Sequence, residues 1–103
     1  MKLSVVTVAY NAEATIAAAV ESVVGQRRNG FELEYIVVDG ASTDGTLQVL
    51  EPWRDRIDRI ISEPDKGLYD AMNKGWRAAT GDAVAVLNSD DVYADDRVLE
   101  RVA

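Results

Sequence analysis

The chain is predicted to fold as an α/β domain, a parallel sheet with helices on both faces. Three observations predict it. Four short apolar or β-branched runs recur through the 103 residues, helical periodicity separates each from the next, and every run stops at a cluster of Asn, Asp, Gly or Ser. Strands joined by helices imply right-handed crossovers, so the C-terminal ends of the strands share one edge. Open α/β sheets bind ligands at that edge.

The first strand is Leu3 to Ala9, nearly continuously apolar, as a strand buried on both faces must be. It ends at Tyr10-Asn11. Asn11 is a good N-cap for a helix on which Ile16, Val20, Val23 and Val24 recur at helical spacing up to Gly25. Tyr35 to Val38 repeats the buried-strand signal and stops at the turn-rich Asp39 to Gly45, from which Thr46 to about Arg54 leads off as a helix carrying Leu47, Leu50 and Trp53. Arg59 to Ser62 is a third, short strand, and Glu63 to Gly67 a loop. Leu68, Met72, Trp76 and Ala79 then mark one helix face, which makes both Trp53 and Trp76 core residues in the simplest reading. Gly81 suits the position just past that helix. Ala83 to Leu87 is the fourth strand, closed by Asn88-Ser89-Asp90-Asp91, and Ala94 to Val102 begins a last helix.

Composition narrows the chemistry. Hydrophobic residues make up 48% and charged residues 28%, which is globular usage. The formal charge is 11 − 18 = −7, which disfavours nucleic acid as a partner. Cys and His are both absent, so there is no disulfide, no thiolate zinc site, no cysteine nucleophile and no imidazole base. Acid-base chemistry is left to Asp, Glu, Lys or Tyr. No run approaches the roughly 18 apolar residues of a membrane span. No signal peptide is evident either, and with the missing cysteines this favours the cytoplasm, with the inner face of the membrane as a variant.

Asp90-Asp91 is the sharpest feature of the shared edge. Carboxylates suit hard cations, and Mg²⁺ takes one or two of them while keeping positions for water and phosphate oxygens; alternatively the pair caps the helix that follows. Asp39 ends a buried strand where it could accept hydrogen bonds from a ribose or base, or simply form a turn with Gly40. Neither a dinucleotide glycine fingerprint nor a phosphate loop is present, and Gly40 and Ser42 break the calcium-loop pattern. Lys66 and Lys74 are the cations nearest the edge, either meeting a diphosphate or solvated in the ordinary way.

Taken in order, Ser4 to Asn11, Val37 to Thr46 and Leu87 to Asp91 resemble the nucleotide-sugar-binding half of a family 2 glycosyltransferase of the GT-A fold. The stretch Glu63 to Gly75 is similar to a bacterial branch associated with exopolysaccharide or surface-glycan assembly. The resemblance covers essentially the whole chain and implies a Rossmann-like sheet. It makes residues 1–103 the nucleotide-sugar-binding part of such a domain, stopping before the acceptor site.

By position, the resemblance implies that Val8, Ala9 and Tyr10 line the base and that Asp39 holds the uracil or ribose side of a UDP-sugar. The family's D-x-D falls on Asn88-Ser89-Asp90, so Asp90 inherits the Mg²⁺ or Mn²⁺, with Asp91 beside it and Asn88 in place of the first aspartate. Ser89 and Gly67 join the nucleotide-binding set. Met72 stands near a position where the family commonly has arginine, which leaves Lys66 to supply the phosphate contact. The reaction implied is inverting, metal-dependent transfer of a sugar from a nucleotide diphosphate to a hydroxyl of a glycan or lipid-linked acceptor. The catalytic base is expected beyond Ala103, so no residue here is assigned as base and residues 1–103 alone are expected to be inactive. Two other classes stay open: a non-catalytic nucleotide-binding module, and another α/β nucleotidyl- or phosphotransfer enzyme.

Overall fold

A computed structural model of the chain describes residues 1–102. Strands β1 (Lys2–Ala9), β2 (Glu32–Asp39), β3 (Arg59–Ser62) and β4 (Ala83–Asn88) form one parallel sheet in the order β3-β2-β1-β4. Helix α1 (Ile16–Val24) joins β1 to β2. Helix α2 (Thr46–Leu50) runs on as a 3-10 turn over Glu51–Arg56, where Pro52 sits, and leads to β3. Helix α3 (Leu68–Ala78) joins β3 to β4, and α4 (Val98–Val102) follows β4. The sheet is wound outward from β1 to β3, and the chain then crosses back to lay β4 on the other side of β1.

Side chains alternate across the strands and so divide the core in two. Leu3, Val5, Tyr35, Val37 and Leu87 face α1, meeting Ile16, Ala19, Val20 and Val23, with Leu50 and Leu99 in the same cluster. On the opposite face Val6, Val8, Ile36 and Val38 meet Ala71 of α3. Within the first cluster the buried Tyr35 hydroxyl shares a 2.7 Å hydrogen bond with Thr7 Oγ1, and burial raises its pKa.

The α3 face differs from its sequence expectation. The buried residues of this helix are Ala71 and Gly75, whereas Leu68 and Trp76 are 51% and 64% exposed. The reason is the closeness of the packing: a Cβ at Gly75 would run into Val6 Cγ1 and lie 3.0 Å from Val6 Cγ2. Small residues let the helix approach the sheet, and the large apolar ones are displaced to its flanks. Trp53 does remain half-buried against the core. Gly81 also has a different reason for being glycine. It packs on β1, where a Cβ would lie 2.5 Å from Ser4 Oγ and 2.8 Å from Ser4 N. The last helix is shorter than expected, because Ala94 to Arg97 form turns before α4 begins.

At the N-terminal edge of the sheet a polar cluster ties β1, β2 and β4 together. Glu34 accepts hydrogen bonds from Ser4 Oγ (2.7 Å), Thr80 N (2.8 Å) and Thr80 Oγ1 (2.8 Å), with Lys2 Nζ 3.6 Å away. Burial alone would raise the Glu34 carboxyl, but these donors and the ammonium hold it down, from 4.5 to about 2.

Two outcomes follow from this packing. A depressed folded-state pKa stabilises the fold fully above the ordinary carboxylate value and loses that contribution as pH falls through about 2. The urea midpoint should therefore drop as pH falls from 4.5 to about 2, and Glu34→Gln should flatten that part of the profile. Gly75→Ala should destabilise despite its better helix propensity, worth about 1 kcal/mol. Overpacking against the β-branched Val6 costs about 1–3 kcal/mol, so thermal melting should show a net loss.

Candidate functional site

Strand order reverses at β1, and a cleft lies at the C-terminal ends of β1 and β4, the edge where open α/β sheets bind ligands. It has a volume of about 440 Å³. One wall is the exit of β1, from Val8 to Ala12, with Thr15. The second is Asp65, Gly67, Leu68 and Ala71 from the connection into α3, and the third is Asn88, Ser89 and Asp90 at the end of β4.

Each wall is held by identifiable bonds. Asn11 does not cap α1, which starts only at Ile16 with Thr15 before it. Asn11 instead takes a positive φ of 48°, a conformation asparagine tolerates better than most residues. That turn aims its side chain at the β2–α2 loop, where Oδ1 accepts from Thr43 N at 2.8 Å and Asp44 N at 3.4 Å. Its own N–H donates to Ser42 Oγ (2.8 Å), and Ala12 N–H donates to Thr46 Oγ1 (2.8 Å). The competing use of asparagine as a loop anchor is what defeated the capping expectation.

The second wall is clamped by Lys74. Its ammonium donates to Pro64 O at 2.7 Å and pairs with Glu63 (3.3 Å) and Asp70 (3.7 Å). The Asp70 carboxyl is held below its usual range, first by the Lys66 N–H it accepts and then by the Lys74 charge. Gly67 enters α3 at φ 117°, a conformation that requires glycine, and donates its N–H to Asp65 Oδ1 at 3.0 Å. On the third wall, Asp91 N–H closes a turn onto Asn88 O at 3.0 Å.

Of the residues expected at the site, Val8, Ala9, Tyr10, Gly67, Ser89 and Asp90 line this cleft. Asp39, Lys66 and Asp91 are not in its lining. Asp39 is fully buried, and its carboxylate already accepts from Ser42 N (3.0 Å), Ser42 Oγ (2.5 Å) and Ser62 Oγ (2.9 Å). Through Ser42 it is linked to the Asn11 backbone. Lys66 is exposed, and Lys74 is spent on the clamp. Asp65, within the loop expected from Glu63 to Gly67, also lines the cleft.

Asp90 with the Asn88 side-chain carbonyl offers oxygen donors suited to a hard divalent cation, which needs few carboxylates when phosphate and water supply the rest. Among the described residues no group of three or more acids converges on one metal position. Nor is any described helix long and apolar enough to cross a membrane.

The sequence matches the model of the family described as Glycosyl transferase family 2 over residues 4–103. It is 37% identical to EpsE of Bacillus subtilis over 106 residues, covering 99% of this chain and 37% of the relative. To the PGL/p-HBAD biosynthesis glycosyltransferase of Mycobacterium tuberculosis it is 36% identical over 103 residues, 97% of this chain and 40% of the relative. The chain thus spans well under half the length of these relatives. Among solved structures it resembles Staphylococcus aureus TarS 1–349 in complex with UDP-GlcNAc, with TM-score 0.88 and 30% identity over 99% of this chain and 30% of that one. It also resembles the mannosyltransferase PcManGT of Pyrobaculum calidifontis in complex with GDP-Man and Mn²⁺, with TM-score 0.83 and 28% identity over 94% of this chain and 30% of that one.

Because Asp39 is buried and accepts from three donors, its removal should be felt as a loss of stability. Asp39→Ala leaves the Ser42 N–H and two hydroxyls without their buried acceptor and should cost about 2–4 kcal/mol. Thermal melting measures this, and faster amide exchange at Ser42 to Thr46 should accompany it.

Proposed function

The chain belongs to glycosyltransferase family 2, and from that premise we propose that it forms the donor-binding part of an enzyme that moves a sugar from a nucleotide diphosphate sugar to an acceptor hydroxyl with inversion. The observation that carries the reading is the cleft at the winding reversal, apolar along β1 and acidic at the exit of β4. Val8, Ala9 and Ala71 give a base an apolar bed. Asp90 and Asn88 would hold Mg²⁺ or Mn²⁺, which when bound supplies positive charge against the departing diphosphate. A chain of net charge −7 has little of its own to offer there.

Lys66, exposed on the loop beside the cleft, adds a point charge for the diphosphate. Tyr10, 62% exposed at the end of β1, closes over the nucleoside. The Asn11 and Lys74 contacts keep these groups at fixed spacing, which matters because a misplaced donor loses the benefit of orientation. No described residue is assigned as the base, and the acceptor is taken to be a hydroxyl of a glycan or lipid-linked molecule.

Calorimetric titration of the full-length protein with UDP, with Mn²⁺ and then with chelator, tests this reading. Even outer-shell changes at metal sites cost about 10–100-fold in affinity, so Asp90→Asn should weaken Mn²⁺-supported binding by at least that much. Equal affinity with and without chelator in both proteins would remove the metal from the reading.

A further inference from the structure

The third wall of the cleft is attached at two places. Asn88 pairs with Val8 of β1, and the Ser89 N–H donates to Val8 O at 3.2 Å. Beyond it the Tyr93 N–H donates to Ser22 Oγ, also at 3.2 Å. Only Asp90, Asp91 and Val92 lie between the two attachments, and the second of them is on α1, outside the cleft.

That second attachment continues through Gln26, which stands one residue beyond the Gly25 that ends α1 and is 5% exposed. A buried polar side chain is costly unless it is hydrogen-bonded, and this one is used in both senses. Nε2 donates to Ser22 O (3.0 Å) and to Asp95 O (2.5 Å), while Oε1 accepts from the Leu99 N–H (3.1 Å). The Arg27 N–H adds a bond to Asp96 O at 2.7 Å. An amide both donates and accepts, which neither a carboxylate nor an apolar side chain can do. Two of the three partners lie 69 and 73 residues away in sequence, so Gln26 organises the approach of the β4–α4 connection to α1 rather than α1 itself. The same helix follows Thr15 of the first wall, and the anchor therefore links the first wall to the third.

We propose that Gln26 is a positioning residue for the divalent cation: by holding Asp95 to Leu99 against the end of α1, it keeps Asp90 where cation and diphosphate meet. The proposal rests on the metal-dependent donor reading above and adds to it the residue that presets its carboxylate. With the anchor cut, the span carrying Asp90 has to be ordered when the ligand arrives, and that cost is subtracted from metal-supported affinity. Contacts along β1 remain, so affinity that does not pass through the metal is spared.

The test is calorimetry on the full-length protein with UDP, once at saturating Mn²⁺ and once in chelator, comparing the parent with Gln26→Glu, Ser22→Ala and Glu34→Gln. Gln26→Glu keeps the size and the acceptor for Leu99 but has no donor for either carbonyl, and the ratio of the two affinities should fall roughly tenfold or more. Ser22→Ala removes the Tyr93 attachment alone, and the ratio should fall by about 2–10-fold. This milder variant decides the matter if Gln26→Glu does not fold. Glu34→Gln loosens the opposite edge of the sheet and should leave the ratio at the parent value. A ratio unchanged in Gln26→Glu and Ser22→Ala, with the parent still dependent on Mn²⁺, overturns the proposal alone. An equal loss with and without Mn²⁺ also overturns it, since that is what a merely structural role would give. Absence of any Mn²⁺ effect in the parent removes the metal reading, and this proposal with it.

Discussion

The placement of β1 governs the rest of the molecule. This strand is buried from Leu3 to Ala9 and hydrogen-bonded on both edges, to β2 and to β4. The chain leaves it through a residue with positive φ, Asn11. The same crowding sets the character of α3, whose contact residues on that side of the sheet are Ala71 and Gly75. Close helix packing on one side and a sharp backbone exit at one end together produce the cleft.

The polar groups of the site divide into those that hold and those that face outward. Asp39, Ser42, Asn11 and Thr46 hydrogen-bond to one another and to loop N–H groups. Lys74 does the same for the connection into α3. The cleft lining also includes Asp65, Asn88, Ser89 and Asp90 on the other two walls.

Strand positions were legible in the sequence because a parallel sheet covered on both faces demands continuous β-branched runs, and Leu3 to Ala9 and Arg59 to Ser62 have little else they could be. The shared edge was legible for the same reason. Less could be read from α3, because periodicity finds apolar residues without knowing that the partner surface is too close for them; Trp76 satisfied the pattern and lies outside the core. The site divided likewise. Asp90 could be placed on the ligand edge from order and spacing alone, whereas the burial of Asp39 against Ser42 and Ser62 depends on which loop folds over which, a tertiary fact with no local signature.

The register of β1 with β4 also has a consequence in time. Leu3 pairs with Ala83, so the central strand and its outer neighbour are separated by nearly the whole chain. During synthesis at about 5–20 residues per second, the 80 residues between them take roughly 4–16 s to appear. Throughout that interval a strand reading Val5-Val6-Thr7-Val8 has one edge unpaired, the arrangement most prone to recruit a foreign strand. Helix α1 and strand β2 emerge early enough to cover one face and one edge, but only β4 closes the other. The strand edge most open to foreign pairing thus emerges about 80 residues before the strand that covers it.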